Sequence, residues 1–185
     1  MSIWVLVIIL LGLILYFVYA GVIKARNQLD EALSDIDVQL KKRADLIPNV
    51  LKIAKKFMDH EKEVFTKITQ LRTKAMEYSV GTTQRFAAES KLQDAVKQLM
   101  VSVENYPQLK SDSSMVKAIE AYQDVEMNIA ASRRFYNAAL KELKNKVQIF
   151  PGSLFKGLAG DFEKYSFFQA SEKDRENVNV DDYLK

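Results

Sequence analysis

Cysteine is absent from this chain of 185 residues, which excludes disulfides, thiolate metal sites, thiol nucleophiles and lipidation at a terminal cysteine. Histidine occurs once. His60 opens the string His60-Glu61-Lys62-Glu63-Val64, which lacks the second histidine of a helix-borne zinc site, so His60 is expected on the surface and no metal is expected. Also missing are a Gly-rich phosphate loop, a Gly-x-Ser-x-Gly elbow and an Asp/Asn-rich calcium loop, the signatures of nucleotide chemistry, serine hydrolysis and calcium sensing. The chain therefore reads as a non-enzyme without cofactor or identifiable small-molecule substrate. Glycine and proline are scarce, at 6 and 3 residues, while Ala, Leu, Lys, Glu and Gln abound, so the expected class is all-α. The formal charge of +3 comes from bases and acids that alternate closely, and without a basic block nucleic acid is not indicated.

Charge is missing altogether from Met1 to Ile23. As a helix, Ile3 to Ile23 would cover about 31 Å, the hydrocarbon thickness of a bilayer, so residues 1–23 are expected to be a single transmembrane anchor. A cleaved secretory signal fits less well: the positive n-region is missing, the apolar run is long and no small-x-small site precedes the first charges. Trp4 at one end and Tyr16 and Tyr19 near the other suit the two interfaces. No base precedes the span, whereas Lys24, Arg26, Lys41, Lys42 and Arg43 follow it, which places the N-terminus outside and the rest in the cytoplasm.

Beyond the anchor, apolar residues recur at steps of four and three: Leu29, Leu33, Ile36, Leu40, Ile47, Val50, Ala54, Phe57, Val64, Ile68, Leu71, Ala75. This seam predicts one helix from the membrane to about Tyr78, a rod standing about 80 Å off the bilayer, kinked or broken near Ala44 to Pro48 by the proline. Residues 78–83 read as a reversal, with Gly81 free to adopt a left-handed cap and a threonine to cap the next helix. A second helix, about Gln84 to Glu104, carries Phe86, Leu92, Val96, Leu99 and Val103 on one face and ends at Tyr106-Pro107. Asp112 or Ser113 can cap a third, whose seam reads Met115, Ile119, Tyr122, Glu126, Ile129, Arg133, Tyr136, Leu140, Leu143, Val147. Residues 24–150 are thus expected to form an antiparallel bundle of three to four long helices. The aromatic-rich residues 151–185, with Phe155, Phe162, Tyr165, Phe167 and Phe168, are expected to fold back over it. A strict heptad also suits chain-to-chain coiled coils, so a homo-oligomer is an open alternative.

Arg43, Glu61, Glu126 and Arg133 stand where the seams call for apolar side chains, so burying them requires partners. If the third helix rises alongside the first from the height of Arg43, Arg133 comes level with Glu61, which predicts a Glu61 to Arg133 contact that fixes register.

Short motifs follow one another along the chain: after the anchor come Arg26-Asn27, Glu31-Ala32, the run Ser34 to Arg43 and Asp45-Leu46-Ile47-Pro48-Asn49. Then come His60-Glu61, Tyr106-Pro107 with Leu109, Glu126 with Asn128-Ile129-Ala130, Arg133, Tyr136-Asn137, Phe150-Pro151 and Phe167-Phe168. In this order they resemble the LemA proteins of bacteria over nearly the whole chain. Leu33 stands where the family usually has tryptophan, Ala20 replaces an asparagine and Val178 a proline. The resemblance implies a bacterial inner-membrane anchor, a short outside N-terminus and an inside helical domain. It implies no settled activity: some members are associated with building magnetosome membranes, others are encoded near membrane zinc peptidases. Arg43, Pro48, Asn49, Glu61, Glu126, Arg133, Tyr136 and Asn137 are the structural or interaction candidates. The function expected from the long seams is a membrane-tethered scaffold or assembly protein, with the lipid bilayer and protein as its partners. A regulator of a membrane peptidase or a membrane-shaping factor is the alternative.

Overall fold

The computed structural model describes residues 3–58 and 60–169, so the part of the aromatic tail at 170–185, Val178 included, lies outside the described residues. Its first helix, α1, runs unbroken from Ile3 to Ala54. The side chains of Ile3 to Phe17 are exposed, and α1 is long and apolar enough there to cross a membrane; burial begins at Val22. From Val22 on, Ala25, Leu29, Ala32, Ile36, Leu40, Ile47, Val50 and Ala54 form the buried stripe that the heptad spacing dictates.

Of the two outcomes expected at the proline, a kink or a break, the break does not occur: Pro48 lies inside α1 without ending it. A proline deprives the carbonyl four residues earlier of its bond, and here that carbonyl, on Ala44, accepts from Arg72 Nε at 2.6 Å, which removes part of the penalty. The break comes instead after Ala54. The amides of Lys56 and Phe57 tighten onto the carbonyls three residues back, and Met58 is fully buried at the end of the core. The rod beyond Ile23 is therefore about 46 Å of helix, well short of the 80 Å expected from a helix continuing to Tyr78. A longer helix would carry Phe65, Ile68 and Ala75 past the end of the core; the reversal lays them against it.

Helix α2 (Lys62–Glu77) descends beside α1, with the Lys55 ammonium over the Phe65 ring near the top and Arg72 beside Ala44 lower down. The turn that follows requires Gly81: its φ is +88°, and a Cβ there would sit 2.7 Å from a Tyr165 ring carbon. Thr82 caps α3 (Thr83–Val103), its hydroxyl accepting from Arg85 N at 3.3 Å. The short α4 (Pro107–Lys110) crosses the top. Asp112 then caps α5 (Ser113–Gln148), accepting from Ser114 N and Met115 N at 2.9 and 3.0 Å. Helix α5 runs back along α1: Met115 shares a core with Ile47 to Met58, Ile129 packs with Ile36, and Val147 packs with Val22.

The distal half is thus an up-down-up-down bundle of α1, α2, α3 and α5. Nearer the apolar start of α1, α2 and α3 have ended, and α1 and α5 need a third wall. The tail supplies it through 3-10 turns at Gly152–Ala159 and Phe162–Lys164, which put Ala159 and Phe162 in the core and Phe155, Tyr165 and Phe168 against it. Among the described residues, the seam positions from Leu29 to Phe57 are buried or half-buried within the one chain.

Candidate functional site

Midway along the bundle, between the distal and proximal cores, the seam positions of three helices turn from apolar to charged. Arg43 of α1 has no exposed surface. Its Nη2 donates to the Glu89 carboxylate and, at 3.2 Å, to the Glu89 carbonyl; its Nη1 donates to Glu126 Oε1 at 2.9 Å. Glu89 lies on α3 and Glu126 on α5, so one planar guanidinium ties three helices together. Arg85, one turn before Glu89, brings its Nε within 2.7 Å of the second Glu89 oxygen and donates Nη1 to the Tyr78 carbonyl at 3.1 Å, extending the network to the α2–α3 turn. Arg133, half-buried on α5, reaches Gln93 Oε1 at 3.4 Å, and its guanidinium carbon lies 4.1 Å from the Phe168 ring centroid.

Burial alone would lower the proton affinity of Arg43, but Glu89 and Glu126 outweigh it and hold the guanidinium charged more firmly than in water. Arg133 is pushed the other way, by burial first and then by the like charge of Arg43. Tyr122, buried and facing the same group, has its hydroxyl pushed up chiefly by burial. That hydroxyl and the Nε atoms of Arg43 and Arg133 find no partner in hydrogen-bonding geometry among the described residues. Three guanidiniums against two carboxylates leave the cluster with one surplus positive charge. The carboxylates are committed to guanidinium groups, and these contacts join α1, α3 and α5 at one level.

One turn below Arg133, α5 holds the tail. Tyr136 donates its hydroxyl to the Ser166 carbonyl at 2.8 Å. Asn137 donates Nδ2 to the Phe168 carbonyl and accepts from the Phe168 amide, each at 2.9 Å, pairing with that backbone as a neighbouring strand would. The Phe168 ring, clamped in this way, lies 3.9 Å from the Phe86 centroid. Ser166 also donates its amide to the Gly81 carbonyl at 3.0 Å, so the tail is stitched to the α2–α3 turn as well.

A sequence model of the LemA family matches residues 32–181. The chain belongs to the LemA family. A relative in Metamycoplasma hominis, Protein LemA, is 26% identical over 171 residues, covering 90% of this chain and 78% of the relative. Neither match is to a catalytic family.

Of the candidate residues in this LemA chain, the structure gathers Arg43, Glu126 and Arg133 into the network and puts Tyr136 and Asn137 directly beneath it on the tail. Pro48 and Asn49 are exposed on α1, apart from it. Glu61 does not meet Arg133. Helix α5 enters from the far end and descends, so Arg133 adjoins the level of Asp35, which accepts from Ser132. Roughly 28 Å of helix separates Asp35 from Ala54, and Glu61 lies beyond that, half-buried with Tyr106 Oη at 3.5 Å. The expected contact assumed parallel helices, and α1 and α5 are antiparallel. His60 is exposed, as expected.

The residues missed were Arg85 and Glu89. Their signal was present: stepping back from Val103, Leu99, Val96 and Leu92 by the same three and four reaches Glu89 and then Arg85. They are the buried counterparts that Arg43 requires.

Proposed function

We propose that this LemA-family chain is a membrane-tethered scaffold: residues 1–23 cross the inner membrane with the N-terminus outside, and the bundle stands in the cytoplasm to engage proteins by surface contact. The observation that carries this reading is the continuity of α1, in which the apolar span and the buried bundle stripe are one uninterrupted helix from Ile3 to Ala54. A bundle built on the anchor itself keeps a fixed height and bearing relative to the lipid, which suits a protein that positions others. The bases after the span support the orientation.

Photo-crosslinking residues placed at Met127 and Phe135, both exposed on α5, test the reading in intact cells. Discrete adducts, with a partner or with a second copy, are expected. Monomer alone at every position tried would remove the basis for a scaffold, and an adduct with a membrane peptidase would turn it into an adaptor of that enzyme. A label after Lys185 that reaches only external proteins would reverse the orientation.

A further inference from the structure

The end of α5 and the chain just beyond it carry apolar side chains that nothing among the described residues covers. Ile149, Phe150 and Leu154 are 65, 76 and 65% exposed, and Leu158 is partly exposed beside them. The intervening positions are used inward: the Phe155 ring packs edge-on against Tyr19 at 6.0 Å and Ala159 is buried. The segment is tied at its far end, where Arg26 Nη1 donates to the Leu158 carbonyl at 3.2 Å.

Its height is what matters. Because α5 runs back along α1, Ile149 and Phe150 line one open cleft with Phe17, Val18 and Gly21. Phe17 lies about 9 Å before Ile23 along the helix, so these side chains stand at the depth of the last turns of the span. Large apolar groups left bare in water are uncommon, and acyl chains at this depth would cover them.

We propose that Ile149, Phe150 and Leu154 form a second membrane contact, a foot that enters the acyl region of the bilayer beside the anchor. The proposal rests on the reading of residues 1–23 as a transmembrane span. The bases around the foot are largely occupied within the chain: Lys156 with Glu163 at 2.8 Å, Lys146 with Glu142 at 3.8 Å and Lys164 with Asp161 at 3.9 Å, while Lys144 lies over the Phe167 ring at 4.8 Å. The proposed contact is apolar, made by three side chains that carry no charge.

Trp4 is the only tryptophan in the chain, which allows a direct test with the full-length protein in phosphatidylcholine vesicles carrying brominated acyl chains. Three proteins are compared: the native chain, Trp4→Phe with Phe150→Trp, and Trp4→Phe with Val101→Trp, position 101 being exposed on α3 in the distal half. Tryptophan at 150 should be quenched by brominated lipid and be about threefold less accessible to aqueous acrylamide than tryptophan at 101, as for a ring buried in the interface. Leu154→Trp in the same background should behave like position 150. Lipid quenching of Trp4 with none at 150 or 154 would overturn the foot and leave the anchor standing; no lipid quenching of Trp4 would overturn the anchor reading and the foot with it. Quenching at 150 that appears only when phosphatidylglycerol is added would overturn the apolar mechanism.

Discussion

Replacing Arg43 by methionine removes one positive charge from a place with no solvent-accessible surface and leaves two carboxylates facing its former position. The loss can be worked from the contacts. Arg43 makes charge-assisted hydrogen bonds to Glu89 and Glu126 and a further bond to the Glu89 carbonyl. Bonds of the charged kind contribute about 1.5–3 kcal/mol each. Breaking a buried ion pair on one side costs about 3–5 kcal/mol, because the remaining charge stays desolvated. The Glu89 side chain is only 3% exposed and keeps Arg85 alone; that of Glu126 is 20% exposed and can recover hydration. Arg43→Met is accordingly expected to cost about 3–5 kcal/mol, a fall of about 6–20 °C in Tm for a domain of this size. Glu126→Gln should cost less, about 1–2 kcal/mol, since its partner keeps Glu89. Arg43→Lys should fall between them, because an ammonium cannot span both carboxylates as a planar fork does. Urea titration of the detergent-solubilised protein, followed by helical circular dichroism, ranks the three. Arg43→Met within about 1 kcal/mol of the native protein, or less damaging than Glu126→Gln, would refute the view that this cluster holds the helices in register.

Three further outcomes follow from the contacts around it. Arg72→Met should destabilise the native chain by about 1–2 kcal/mol but cost less in a Pro48→Ala background, where the helix itself again satisfies the Ala44 carbonyl; a double-mutant cycle by urea titration measures the coupling. Asn137→Leu should cost about 2 kcal/mol and expose the tail near Phe168 to limited proteolysis, since both hydrogen bonds to that backbone are lost together. The third outcome concerns alkali. Burial raises the hydroxyls of Tyr122 and Tyr136 above the ordinary tyrosine value of about 10, so their contribution to stability is complete below that pH and declines as pH rises toward the folded values. The urea midpoint should fall progressively above about pH 10, and the Tyr122→Phe, Tyr136→Phe double variant should fall less steeply.

Much of this architecture was legible in the apolar spacing, because a buried stripe of 3.5-residue period leaves the same trace whatever it packs against. Leu29, Ile36, Leu40, Ile47 and Val50 are buried as their positions require. A threonine cap before α3, a cap at Asp112 or Ser113 before α5, and the packing of Phe155, Phe162, Tyr165 and Phe168 back onto the bundle were legible for local reasons. The reversal after Ala54 was not, since Lys55 to Glu61 contains neither glycine nor proline and the seam resumes in phase in α2. That turn is fixed by where the core ends, a property of the assembled helices. That Pro48 would not break the helix was not legible either, because the group that takes up the freed carbonyl, Arg72, is on another helix. Arg43, Glu126 and Arg133 announced themselves as charges in apolar positions, but pairing them depended on helix direction, which spacing does not encode.

The absence of a joint between span and bundle has a mechanical meaning. Since Ile3 and Ala54 belong to one helix, no loop lies between the apolar span and the bundle on which the bundle could swivel. Adding one residue between Ile23 and Ala25 would turn everything beyond it by about 100° against the lipid-facing side of the span, with no change in composition or charge pattern. With the span in a bilayer as proposed, the protein would hold a compass bearing as well as an altitude. Neighbours in the same bilayer that grip the stalk would thereby choose which flank of the head is turned toward them.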